Sequence, residues 1–150
     1  MGSMGRMYYA KGSAMAVTDT GDFLQLRNGA GVICRIHEIR VWQESDTTLA
    51  MNTVRIQRGV GGSAGTGTSE DEMDIVSPAA AATAFTLPTT DVGTLDLTIQ
   101  CGWNILQEFV WLPTPDIQIH LAASDELGLS LRVADTLTIG ASIWWEEIGV

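Results

Sequence analysis

Gly59-Val60-Gly61-Gly62-Ser63-Ala64 has the G-x-G-x-x-A spacing of a dinucleotide-binding turn. That motif works when its glycines open a helix whose N-terminus holds a pyrophosphate. Here more glycine follows, and then Glu70, Asp71, Glu72 and Asp74, whose charges repel phosphate. The segment reads instead as a flexible loop. Gly128-Leu129-Ser130-Leu131-Arg132 misses the nucleophile elbow by its last residue, and it lies within an alternating strand rather than at a strand-to-helix turn. The two histidines, His37 and His120, carry no local signature of a Ser-His-Asp arrangement. The acids at 70–74 lack the spaced ligands of a calcium loop, and Cys34 with His37 offers too few ligands for zinc. No catalytic residue, metal or cofactor is expected. Cys34 and Cys101 each fall inside an expected strand and read as buried thiols, with a pairing between them left open.

The aromatic residues point to binding rather than reaction. Of five tryptophans, Trp144 and Trp145 are adjacent, so in a strand they face opposite ways. If Trp145 joins Leu137, Ile139 and Ile143 in the core, Trp144 faces outward, where a large aromatic side chain commonly meets a partner. Tyr8 and Tyr9 pose the same question near the N-terminus. Tyr8, Tyr9, Lys11 and Trp144 are the candidate partner-binding residues.

The elements that would position them repeat every two residues. Leu95, Leu97, Ile99 and Cys101 alternate with Asp96, Thr98 and Gln100, which is the pattern of a half-buried antiparallel strand. Similar runs are Ile117–Leu121, Leu127–Val133 and Leu137–Trp145. The short Ala134-Asp135-Thr136 link suggests a hairpin between the last two. Earlier strands hold Phe23, Leu24 and Leu26, and then Val54 and Ile56. Between Ile33 and Gln43 the apolar parity switches from Cys34 and Ile36 to Ile39 and Val41. A one-residue bulge near His37-Glu38 would restore one buried face, with a sharp bend as the alternative. The Ala79–Ala82 run is the main helix candidate. About eight strands with Gly- and Pro-rich connections mean an all-β antiparallel sandwich of jelly-roll type. It is expected as a single domain over residues 1–150 with an extended N-terminal arm at about 1–12.

Composition restricts the partners. The 150 residues hold 18 acids against 8 bases, a formal charge of −10, and a single lysine, Lys11. Nucleic acid as a direct partner is excluded because no basic run neutralises phosphate. Anionic membrane surfaces are disfavoured likewise. No apolar stretch approaches a membrane span, and Met1–Arg6 lacks the apolar core of a signal peptide, so synthesis in a cytoplasm is expected. Charged residues make up 17%, below the typical value of about 25%. Sheet edges normally carry lysine or proline as protection. Their scarcity suggests that another subunit covers an edge, as in a homo-oligomer; a trimer is the geometry common to jelly rolls.

The last third, Asp116–Leu121, Asp125–Leu131 and Ile139–Glu147, resembles the closing strands of small tailed-phage jelly-roll proteins: capsid decoration, or cement, proteins and head-fibre knobs. The resemblance implies a trimeric β-sandwich on the outside of a virion, bracing the major capsid protein through protein-protein contacts. The basic N-terminal segment, Arg6 to Lys11, would then add to a neighbouring sheet. The rival reading is a glycan- or receptor-binding module of a phage fibre. Trp103 with Asn104, or Trp144 with Glu146, would then form the site.

Overall fold

The computed structural model describes residues 5–45, 51–62, 66–68, 70–72 and 79–149. Its strands are β1 (Arg6–Val17), β2 (Asp22–Arg27), β3 (Val32–Ser45), β4 (Met51–Val60), β5 (Thr66–Thr68), β6 (Glu70–Glu72), β7 (Thr83–Thr86), β8 (Gly93–Asn104), β9 (Phe109–Trp111), β10 (His120–Leu121), β11 (Glu126–Leu131) and β12 (Leu137–Gly149). A 3-10 turn occupies Pro115–Ile117. Two antiparallel sheets form a β-sandwich. Sheet A runs β6-β1-β12-β3, with β9 and β10 both on the outer side of β3. Sheet B runs β5-β7-β2-β11-β4-β8. The pairings are nested along the chain: β1 with β12, β2 with β11, β3 with β9 and β10, and β4 with β8.

Alternation explains which residues meet between the sheets. Sheet A contributes Ile36, Ile39, Val41, Ile139, Ile143 and Trp145, and sheet B contributes Leu24, Leu26, Val54, Ile56, Leu127 and Leu129, all fully buried. β-branched and leucine side chains suit this pleated, two-layer interior. The switch of parity in β3 is a β-bulge. Trp144 lies opposite Glu38 and Trp145 opposite Ile36, so His37 is the extra residue. Ile36 and Ile39 are thereby both buried, and His37 and Glu38 both lie at the outer surface.

Several sequence expectations change. β11 and β12 do not form a hairpin, since β11 pairs with β2 and β4 in one sheet and β12 with β1 and β3 in the other. Alternation fixes which residues are buried but not which sheet a strand joins. The link after β11 turns a corner of the sandwich, and Arg132 N–H donates to the Thr53 carbonyl there. The run at Ile117–Leu121 shrinks to two strand residues, because Pro115 opens a 3-10 turn that leaves Ile117 63% exposed. Ala79–Ala82 is not helical; the Ala81 and Ala82 amides donate to the buried Glu147 carboxylate. From Arg6 onward the expected arm is a strand paired with β12, and over Tyr8–Ala10 it is interior, with β6 on its other side. The glycine-rich loop is described only in part, because Ser63 to Gly65 lie outside the described residues, as does Asp74 of the acidic cluster.

The two thiols lie on different sheets and are both free. Cys34 is fully buried, and burial, with Glu147 nearby, pushes its thiol far up. The thiol donates to Asn28 Oδ1 at 2.9 Å. Cys101 is half-buried. A thiol reagent is therefore expected to modify native Cys101 at least ~10-fold faster than Cys34, since only the thiolate of an accessible cysteine reacts. Peptide mapping after brief alkylation reads the ratio; equal labelling would contradict the placement of Cys34.

Candidate functional site

The candidate site forms on the outer face of sheet A. β1 and β12 set Tyr9 opposite Trp144 and Met7 opposite Glu146. The Tyr9 and Trp144 rings meet at 4.8 Å with a 40° tilt. Lys11, two residues on, shares this face and is exposed. On the other side of β12 the bulge of β3 raises His37 and Glu38 towards the same surface. The connection from β9 to β10 rises beside them and supplies Leu112, Pro113, Pro115 and Gln118. A cleft of about 380 Å³ lies between these walls, lined also by Met7, His37, Glu38 and Trp144. Its wall is apolar and open to solvent: Leu112 is 69% exposed.

A polar chain fixes the cleft floor. Glu146 Oε2 lies 3.1 Å from His37 Nε2 and 3.4 Å from Arg35 Nη1. Gln118 Nε2 lies 3.2 Å from His37 Nδ1. If the Gln118 amide donates to Nδ1, a neutral imidazole carries its proton on Nε2 and gives it to Glu146. This resembles the base-and-orienter half of a catalytic triad. The nitrogen that would serve a nucleophile instead faces an amide. The arrangement holds His37 in one orientation and presents an aromatic surface bordered by hydrogen-bonding groups. Bulky aromatic groups with polar neighbours are the usual centre of a binding surface. His120 lies across β3, opposite Arg35. Partial burial, then Arg35 and Arg58, hold its pKa below the usual imidazole value.

The structure divides the residues singled out from sequence. Tyr9, Lys11 and Trp144 share the outer face. Tyr8 does not: it is 1% exposed and stacks on Trp145 within the core, ring centroids 5.9 Å apart. The parity that brings Tyr9 outward sends Tyr8 inward. Trp103 is also buried, its indole N–H donating to the Gln107 carbonyl at 2.7 Å, so the surface imagined for Trp103 and Asn104 is absent. Ser130, of the near-miss elbow, faces away from the core but lies buried beneath Arg55, whose Nε is 3.1 Å from its hydroxyl.

Two features were missed. The proline-bearing wall at 112–118 follows a strand too short to alternate, so no periodicity marked it. A second hollow, of about 560 Å³, opens at one end of the sandwich between residues 16–23 and the segment of Leu87–Thr89 and Asp91. It holds Asp19, Asp22 and Asp91. Burial raises the Asp22 carboxyl to about 6, against the pull of the Val92 amide and the Gln25 side chain; Asp91 adds to the rise and Arg55 opposes it. The described residues contain no grouping of three or more ligands fit to hold a metal ion. No protein-family model matches the chain, and no curated protein matches it.

Proposed function

We propose that this chain is a jelly-roll protein of the virion surface, a capsid decoration protein of a tailed phage. It acts by binding and works as a homo-oligomer. The nested pairing supports the jelly-roll reading. With β9 and β10 counted as one interrupted strand and the short β5, β6 and β7 as additions, the eight main strands pair first with last, second with seventh, third with sixth and fourth with fifth. This is the order of a two-stranded ribbon wrapped into a barrel, which makes two Greek keys. Fold order is not function. The observation that carries the binding reading is the Tyr9–Trp144 pair beside a solvent-open apolar cleft. The candidate partner is the major capsid protein, met through the outer face of sheet A.

The test is co-expression with the major capsid protein of the same genome, followed by sedimentation of the assembled heads. The chain is expected to sediment with the heads. Trp144→Ala is expected to weaken that binding at least ~30-fold, as loss of a central aromatic anchor does, while the melting temperature changes little. Heads that sediment without the wild-type chain overturn the proposal, and so does a Trp144→Ala variant that binds as well as wild type.

The same cleft supports a second reading, a glycan-binding module of a fibre. Trp144 offers a stacking surface, and Glu38, Gln118 and Glu146 offer hydrogen bonds at its border. Glycan-array binding that Trp144→Ala abolishes would favour it over decoration.

A further inference from the structure

Each sheet has two edges, and among the described residues three of the four end on short strands; β6 covers only Tyr8–Ala10 of β1, whose continuation is broken by a bulge between Gly12 and Met15. β5 and β6 have three residues each, and the third edge is divided between β9, with three, and β10, with two. Shortness protects an edge from pairing with another chain. The fourth edge is β8, which runs for twelve residues and contains neither lysine nor proline. Its regular part, Leu97–Asn104, pairs with Met51–Arg58 of β4 on one side. No described strand lies beyond it on the other. Its core-facing row is also incompletely covered. Leu97, Ile99 and Cys101 are only half-buried, and Leu95 is 44% exposed.

We propose that β8 pairs antiparallel with β8 of a second copy of this chain, about a two-fold axis, so that sheet B continues across a dimer. The inference rests on the homo-oligomer of the proposed function, names its contact, and sets a two-fold dimer in place of the trimer that the resemblance implies. The occupant follows from edge length. A head-to-tail contact would set β8 against a strand of three or fewer residues, or against the part of β1 beyond β6, where a bulge between Gly12 and Met15 and a positive φ at Ala14 break the regular backbone. Another β8 matches it throughout, and a two-fold contact closes on itself.

Charge agrees. The one charged residue of β8 is Asp96, held at 2.9 and 3.1 Å by Arg58 of its own sheet. An axis at Thr98, Ile99 or Gln100 places Asp96 opposite Gln100, Gly102 or Asn104 respectively, and never opposite its own copy. All three registers keep core-facing residues opposite core-facing residues, as a continuous sheet requires. Leu97, Ile99 and Cys101, which pack against the core but are only half-buried, then gain neighbours across the axis.

Light scattering on the full chain at roughly 100 µM is expected to give about 32 kDa, twice the 16.1 kDa of one chain. Thr98 and Gln100 are exposed, so glutamates there should leave the monomer folded while setting like charges across the axis in every one of the three registers. The double variant Thr98→Glu/Gln100→Glu is expected to dimerise at least ~100-fold more weakly with unchanged circular dichroism. Hydrogen exchange provides a second readout in the wild-type chain: β8 amides that point away from β4 should be protected at high concentration and lose that protection on dilution. A single-chain mass at that concentration would sink both this contact and the homo-oligomer. An oligomer that withstands both glutamates, or a mass of about 48 kDa, three chains, would sink the β8 pairing alone. Should the double variant fail to fold, exchange decides, and β8 amides indifferent to dilution overturn the pairing.

Discussion

Asp22→Asn is expected to stabilise this protein at pH 7.5 and to leave it almost unchanged at pH 4. Asp22 is buried on the outer side of sheet B, under the segment that precedes β8. Both hydrogen bonds to its side chain end on one oxygen, Oδ2: from Gln25 Nε2 at 2.8 Å and from Val92 N–H at 2.8 Å. An asparagine carbonyl in that place accepts both. Burial raises the carboxyl from 3.8 to about 6 in the folded chain. An acid whose pKa is raised by folding binds its proton more tightly when folded than when unfolded. Its contribution therefore declines as pH rises from about 4 to about 6, and the full penalty applies above that window. About two pH units correspond to roughly 3 kcal/mol. The asparagine removes the charge, so a gain of about 2–3 kcal/mol is expected at pH 7.5, or roughly 5–10 °C in Tm. Thermal melts of both proteins at the two pH values decide it. A variant no more stable than wild type at pH 7.5 would refute the argument. Gly128 belongs to the same site: a Cβ there would come within 2.4 Å of Asp22 Oδ2.

Trp145→Ala is expected to destabilise by about 3–5 kcal/mol, the range for removing a buried aromatic side chain. Its ring is fully buried and stacks on Tyr8 at 5.9 Å, and its Nε1 donates to Glu147 Oε1 at 3.2 Å. Glu147 in turn accepts from the Ala81 and Ala82 amides, so the loss extends to the loop that those amides anchor. Trp144→Ala changes the same residue type one position away and is expected to cost under ~1.5 kcal/mol, because that ring is half-buried on the outer face. Urea unfolding of the two variants makes the comparison. Equal losses would mean that the parity of β12 is misread.

That parity was the most legible part of the sequence. Leu137, Ile139, Ile143 and Trp145 alternate with Thr138, Gly140, Ser142 and Trp144, and the first set is buried in the core. The bulge at His37 was legible for the same reason, since a switch of parity within one strand requires an extra residue. Pairing partners were not legible. Nothing in Ala134-Asp135-Thr136 separates a hairpin from a corner, because both need only a short polar link. Tyr8 was misassigned because adjacency to Tyr9 says that the two diverge without saying which goes in. The cleft was only half visible. Trp144 announced itself, but Leu112, Pro113 and Gln118 come from an irregular segment, and the His37–Glu146 contact joins residues far apart in the chain. Asp22 follows Asp19-Thr20-Gly21, and nothing in that stretch marks it as buried; only the segment folded over it makes it so.

The nesting of the strands also bears on how the protein is made. Sheet A places β12 between β1 and β3, so the first strand synthesised must wait for the last before it gains its long neighbour. Contacts between opposite ends of a chain are slow to form, since the chain loses loop entropy before any contact offsets it. A ribosome releasing this protein therefore exposes β1 and β3 without the strand that joins them. The sandwich closes only after β12 has emerged.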